Sequence, residues 1–150
     1  MAESDTTSSP MAGIDEFLCF AVYSANHAFN RVYKPLLDEL GLTYPQYLVM
    51  VTLWQRDDQT VGELGEKVFL ESSTLTPMLK RLEAMGHITR ARDRQDERQV
   101  RLSLTPEGKA LRQKALCVPQ NILEATGLTE ENLGRLKNEI AALRNTLMKD

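Results

Sequence analysis

The sequence predicts a mainly α chain with a small β-hairpin wing, a winged helix-turn-helix held between N- and C-terminal dimerisation helices. Three observations lead there. Residues 60–85 hold two helical segments joined by a short apolar connection, Val68-Phe69-Leu70. Residues 88–104 hold two strand-like runs around a charged tip. The two ends of the chain carry amphipathic stripes that residues 42–104, with a core of their own, do not need.

The opening residues 1–13, MAESDTTSSPMAG, lack a basic n-region and an apolar h-region, which excludes a signal peptide and leaves a disordered polar tail. Residues 14–150 then form one unit, with 42–104 as the DNA-binding region and 14–40 plus 105–150 as dimerisation helices. The first helix is expected from near Ile14, capped by Asp15, to Tyr33 or Lys34. Phe17, Phe20, Ala21, Ser24, Ala28 and Val32 fall at helical steps, and the small residues Ser24–Ala28 let another helix approach. Pro35 should bend or break the path before Leu36–Leu40 continue it to Gly41. Thr43 with Gln46 makes a capping box and Leu42 with Tyr47 a hydrophobic staple, opening a helix to about Gln55. Leu48, Val49, Met50, Val51, Leu53 and Trp54 make that helix the buried support, and Arg56–Gln59 is the loop out.

Thr60 caps the next helix, to Lys67, with Glu63 completing a capping box. A second helix runs from about Ser72 to Met85, with Leu75, Met78, Leu79, Leu82 and Met85 on its buried face and Ser72, Ser73, Thr76 and Lys80 on the other. Gly86 stops it, Pro77 should bend it, and Ser72 and Ser73 could serve as caps instead of contacts. Ile88–Arg92 and Val100–Leu104 pair as a hairpin around Asp93–Arg98. A polar helix suits the major groove, and an arginine-bearing hairpin the narrow, electronegative minor groove. The candidate DNA contacts are therefore Ser72, Ser73, Thr76, Lys80, Arg94 and Arg98, with Asp96 orienting Arg98. Pro106 starts another helix, which runs to about Cys117, is interrupted at Pro119 and continues with a kink over Asn121–Thr126 to Gly127. Thr129 caps the last helix, stapled by Leu128 and Leu133. Its stripe of Leu133, Leu136, Ile140, Leu143 and Leu147 must be buried, either on its own domain or against the first and last helices of a second copy. A two-fold homodimer would match half-sites ~34 Å apart on double-stranded operator DNA.

A formal net charge of −3 argues at first against nucleic acid. The charge is unevenly spread, however: residues 80–114 hold ten Lys and Arg against five Asp and Glu, a net +5, which leaves −8 elsewhere. A basic face on an acidic body docks on phosphate in one orientation. No apolar run approaches a membrane span, and a cytoplasmic location with reduced thiols is expected. His27 and His87 are isolated, so no metal set is expected, nor any cofactor.

The two cysteines carry the remaining chemistry. A reactive thiol must be a thiolate, and Cys19 lies near the start of its helix, where the dipole favours negative charge. Phe17, Leu18, Phe20 and Val22 surround it with apolar groups, which suits an apolar co-reactant. Tyr23, four residues on, could donate to the sulfur. On the residues alone the plainer reading of Cys19 is a small buried hydrophobe on a dimer helix.

The stretch ESSTLTPMLKRLEAMGHITRARDRQDERQVRLSLTPEG, with its flanking helices, resembles the MarR-type winged-helix repressors, and Asp96-Glu97-Arg98 matches their D-x-R wing signature. The first half, LCFAVYSANHAFNRVYKPLLDELGLTYPQYLVMVTLWQRD, is similar to the organic hydroperoxide resistance repressors, and the likeness extends from about Phe17 to Leu147. It implies that Cys19 senses organic hydroperoxide, that Tyr33 and Tyr44 of the other subunit hydrogen-bond its thiolate, and that Cys117 resolves the sulfenic acid as an intersubunit disulfide. The chain would then be no enzyme but a repressor released from its operator on oxidation. Two other functions fit parts of the sequence: a regulator of the same family answering a small phenolic ligand, and a thiol peroxidase.

Overall fold

A computed structural model describes residues 12–149; the tail expected over 1–13 falls almost wholly outside them. A single 3-10 turn, Ile14–Glu16, precedes helix α1, Leu18–Asp38. Asp15 does not cap α1 but lies inside that turn; Phe17, in extended conformation, stands at the cap position with no side-chain bond. Pro35 does not end the helix either. Its missing N–H costs about 3 kcal/mol in a helix interior. Continuing the helix carries Leu37 (2% exposed) and, just beyond its end, Leu40 into the core, and each such leucine stabilises by about 1.5–3 kcal/mol.

Helix α2, Tyr44–Gln55, opens with both halves of the capping box: Gln46 N–H donates to Thr43 Oγ1 at 3.3 Å and Thr43 N–H to Gln46 Oε1 at 3.0 Å. Val49, Met50 and Leu53 at its centre are wholly buried. They meet Leu64 of helix α3, Val61–Val68, and Leu75, Leu79 and Leu82 of helix α4, Ser72–Ala84, in one core. Glu63 completes only half of its expected box. Its N–H donates to Thr60 Oγ1 at 3.1 Å, but its carboxylate takes the Arg56 guanidinium at 2.6 Å instead of turning back. Glu71 holds the cap position of α4, so neither Ser72 nor Ser73 caps it. The helix runs unbroken through Pro77. Met78 is half-buried, and Met85, just past the last turn, is exposed and not part of the buried face.

The wing pairs strand β2, Ile88–Arg92, with strand β3, Val100–Leu104, antiparallel, Arg90 opposite Leu102. A third strand, β1 (Gln59–Thr60), lies on the other edge of β3. Sequence pattern makes its first residue loop. It is strand because buried Gln59 donates from Nε2 to Thr52 C=O at 3.2 Å, which draws the backbone beside Leu102.

A tight joint ties the wing to helix α5, Pro106–Ala115. Thr105 Oγ1 donates to Gly86 C=O at 2.6 Å and accepts from Gly108 N–H at 2.9 Å, while Thr105 N–H donates to His87 C=O at 3.1 Å. A Cβ on Gly108 would fall inside the van der Waals radius of that His87 carbonyl oxygen, so only glycine fits. Trp54 Nε1–H donates to Gly108 C=O at 2.8 Å and joins α2 to the same point.

Leu116 and Cys117 interrupt the path, helix α6 follows over Val118–Thr126, and Thr129 caps helix α7, Glu130–Leu147, by accepting from Asn132 N–H at 3.1 Å. No residue of α7 is buried; Leu136 and Ile140 are 47% and 44% exposed. Phe17, Leu18, Val22 and Tyr23 on and before α1 are exposed too. The stripe of α7 is thus not covered by its own domain. Among the described residues no helix is long and apolar enough to cross a membrane.

Candidate DNA-reading surface and thiol site

On α4, Ser72, Ser73 and Lys80 are exposed, and Thr76 is partly covered. The Thr76 hydroxyl donates to Ser72 C=O at 2.8 Å, which leaves its lone pairs for an incoming donor. At the wing tip Asp96 Oδ1 accepts from both the N–H and the Nε–H of Arg98 at 3.1 Å, and Oδ2 accepts from Nη2 at 3.4 Å. The Arg98 side chain is 90% exposed nonetheless, so it is aimed but not covered. Arg94 is exposed and enters no ion pair among the described residues.

In the sequence Asp93 is one charge among several; in the structure it is the pin of the turn. Buried at the head of the tip, it accepts from Gln95 N–H at 2.7 Å, from Asp96 N–H at 3.3 Å and from Arg101 Nε–H at 2.8 Å. Arg101 also donates to the Asp58 carboxylate at 3.3 Å and its carbonyl at 3.1 Å. The Gln95 N–H foremost, with Arg101 and the Asp96 N–H, holds the Asp93 carboxyl below the usual range. An Asp two residues ahead of the N–H it accepts is an Asx turn, a signal the sequence did carry. Arg90 pairs with Glu83 at 3.1 Å, and Arg92 donates to Glu97 C=O at 2.7 Å. The cations therefore divide into those that brace the wing and those, Lys80 and Arg94 among them, that face outward.

Cys19 is the second residue of α1 and is exposed. The first N–H groups of α1 have no side-chain cap, so the positive end of the helix is open beside the sulfur. Tyr33 and Tyr44 stand with ring centroids 4.7 Å apart, and Tyr47 lies 6.0 Å from Tyr33. Burial first, then the neighbouring phenols, pushes the Tyr33 hydroxyl well above its ordinary value; burial does the same for Tyr44 and Tyr47. All three are neutral donors over the physiological range. Cys117 stands at the cap position of α6, exposed, with its thiol 3.8 Å from Lys114 C=O, and after burial and Tyr44 it is the least of the three causes that raise the Tyr47 hydroxyl. One chain thus places Cys117 by the tyrosines and leaves Cys19 apart: Cys19 and Tyr33 are fourteen helical steps from each other, a rise of ~21 Å. Tyr23, the nearer phenol in sequence, packs edge-on against His27 with centroids 4.5 Å apart. A cavity of about 760 Å³ opens between α1, α2 and the end of α3, lined by Asn26, Asn30, Tyr33, Tyr44 and Leu70 among others. Among the described residues no three His, Cys, Asp or Glu side chains stand together as a metal site would need.

Residues 31–115 match the model of the transcriptional regulator SarA/Rot family. The chain is 48% identical over 144 residues to the HTH-type transcriptional regulator TtmR of Methylorubrum extorquens, covering 96% of this chain and 74% of that one. It is 45% identical over 134 residues to the organic hydroperoxide resistance transcriptional regulator of Bacillus subtilis, covering 89% and 91%. Among solved structures it is similar to AbfR of Staphylococcus epidermidis. Reduced AbfR bound to DNA superposes with a TM-score of 0.72 at 36% identity over 88% of this chain and 92% of that one. The disulfide-formed state of AbfR superposes at 0.59, with 35% identity over 84% and 88%.

Proposed function

The chain belongs to the MarR-type winged-helix transcriptional regulators, the family of the organic hydroperoxide resistance regulators, and we propose that it is a redox-sensing repressor. In this reading the reduced homodimer holds double-stranded operator DNA, with Ser72, Ser73, Thr76 and Lys80 in the major groove and Arg94 and Arg98 at the minor groove. Cys19 reads an organic hydroperoxide. Its thiolate attacks the distal peroxide oxygen, the O–O bond breaks, the sulfur becomes a sulfenic acid, and the peroxide leaves as the alcohol after taking a proton. The thiolate of Cys117 from the other chain then attacks that sulfur. The S–O bond breaks, hydroxide leaves as water, and an intersubunit disulfide remains.

One observation carries the proposal: the split along α1. Tyr33 and Tyr44 form a pair of neutral donors far from their own Cys19, which supports a role toward the Cys19 of a second copy. The uncovered stripes of α1 and α7 supply the surface for that copy. The named relatives add support, being a hydroperoxide-resistance regulator and a protein solved on DNA and in a disulfide state. The test is operator binding by reduced protein and after one equivalent of an organic hydroperoxide, with a non-reducing gel alongside. Binding should be lost as a disulfide-linked dimer band appears, and Cys117→Ser should abolish both changes. Loss of binding without the band would remove Cys117 from the mechanism, and binding indifferent to peroxide would end the redox reading. The large cavity beside Tyr33 favours one second reading, a regulator answering a small phenolic ligand; such a protein would keep its response in Cys19→Ser.

A further inference from the structure

We infer that Arg144 of α7 and Phe69 of the α3–α4 turn form a clasp through which α7, on the surface for a second copy, positions α4 for DNA. The inference rests on the DNA-binding part of the reading above and adds two positioning residues to it. From the sequence, Val68-Phe69-Leu70 is one apolar connection. The structure splits it: Val68 and Leu70 pack against the core, whereas Phe69 is 48% exposed. Its backbone is unusual as well. A φ of 59° and a ψ of 41° put it in the left-handed region that favours glycine. The turn demands that conformation, because Gly65 C=O accepts from both Phe69 N–H and Leu70 N–H, the latter at 3.1 Å. Glycine would meet the demand at less cost. A phenylalanine that is neither buried nor suited to its backbone is explained by what its ring touches.

The ring touches Arg144. The guanidinium carbon stands 4.4 Å from the ring centroid, within the range of a cation–π contact. Arg144 is exposed, and its Nε–H and Nη2–H both donate to Asn145 Oδ1, at 3.2 and 3.0 Å, which anchors the group on its own helix. A cation in the last turn of α7 also suits the helix dipole, but the dipole asks for no aromatic partner from another element. On its other side the turn is stiff. A Cβ on Gly65 would lie 2.7 Å from the Leu70 carbonyl oxygen, so the chain folds back on α3 without slack. Leu64 of α3 and Leu75 of α4 share one core. Ser72, which opens the polar front of α4, is three residues beyond Phe69. A displacement of Phe69 is therefore a displacement of α4. Arg144 in turn lies one helical turn beyond Ile140 of the uncovered stripe. The surface that would meet a second copy and the helix that would meet DNA are thus bridged by a side-chain pair.

The experiment is a double-mutant cycle on full-length reduced protein, with a DNA duplex that the parent itself selects from a randomised library. Arg144→Gln removes the charge and keeps a donor; Phe69→Leu keeps apolar bulk and removes the aromatic face. Each should weaken binding about two- to fivefold, the worth of one exposed cation–π contact. The double variant should bind no worse than the weaker single, with sedimentation and far-UV circular dichroism as in the parent. Phe69→Tyr, which keeps the face, should bind as the parent does, a rescue that a merely structural role for the ring would not give. Losses that multiply in the double variant overturn the inference, since the two residues then act separately. So does a Phe69→Tyr variant as weak as Phe69→Leu, or parent-level binding in both singles. A salt slope lowered by about 1 in Arg144→Gln, and in no Phe69 variant, overturns it too, because it marks a direct phosphate contact. A parent that selects no duplex is a different failure: it removes the repressor reading and this inference with it.

Discussion

In the wing, each charged side chain that shapes the turn finds its partner inside the same chain; along α7 and around Cys19, large apolar and phenolic groups stay exposed. Asp93, Arg101, Asp58, Asp96 and Arg98 form a closed set of short polar contacts. Cys19, Tyr23, Leu136 and Ile140 are exposed. The difference teaches how labour is divided. Under the proposed function, the surface that would meet phosphate is complete in one copy, whereas the surface that would meet an oxidant waits for assembly. Oxidation would then act on how two copies sit together, and each winged unit would keep its own fold.

The most forceful way to break this contrast is at α7. Leu136→Glu with Ile140→Glu places charge on the uncovered stripe, and sedimentation should show monomers. Operator affinity should fall by about a hundredfold or more, since two linked half-site contacts become independent, while far-UV circular dichroism stays that of the parent. A double variant that remains dimeric would show that the stripe is not the interface. A smaller effect is expected at the wing. Arg98→Ala should weaken operator binding on the order of tenfold and reduce the salt slope by about 1 for each phosphate it no longer neutralises; binding unchanged at several salt concentrations would remove the wing from the interface. The smallest effect sharpens the claim of self-sufficiency. The Asp93 carboxyl titrates lower in the folded chain than in the unfolded one. Its contribution is therefore complete above the unfolded value of about 3.9 and disappears as pH falls through the lower folded value. Asp93→Asn should show faster amide exchange at Gln95 and Asp96 than the parent at neutral pH, with the gap closing in strong acid. A gap that stays constant into acid would mean that the charge of Asp93 does not hold the turn.

Much of this is legible in the residues themselves. Thr43, Thr60 and Thr129 cap their helices as their spacing suggests, and Thr105 does the same ahead of Pro106, each accepting from the N–H three residues on. The alternation of 100–104 is a strand. What escapes has physical reasons. Two residues of β1 are too few to show a period, and their pairing is set by the buried amide of Gln59. Pro35 reads as a stop because local preference cannot see that Leu37, two residues later, is drawn into the core. Asp15 reads as a cap because the extra 3-10 turn before α1 leaves no mark on polarity. Of the thiol region, the separation of Cys19 from Tyr33 already follows from a helix expected from near Ile14 to Tyr33 or Lys34; the clustering of Tyr33 with Tyr44 and Tyr47 does not, because it comes from how α1 packs on α2.

The joint at Gly108 bears on inheritance. The base of the wing and the first turn of α5 are pressed so closely there that one carbonyl oxygen, that of His87, refuses every other side chain. A lineage carrying this joint can vary the cysteines, the wing tip or the α7 stripe one at a time and keep a folded protein. It cannot vary residue 108 without prying the base of the wing from α5. The two halves of the molecule can thus diverge in what they bind and what they sense, but they are bound to travel as a pair.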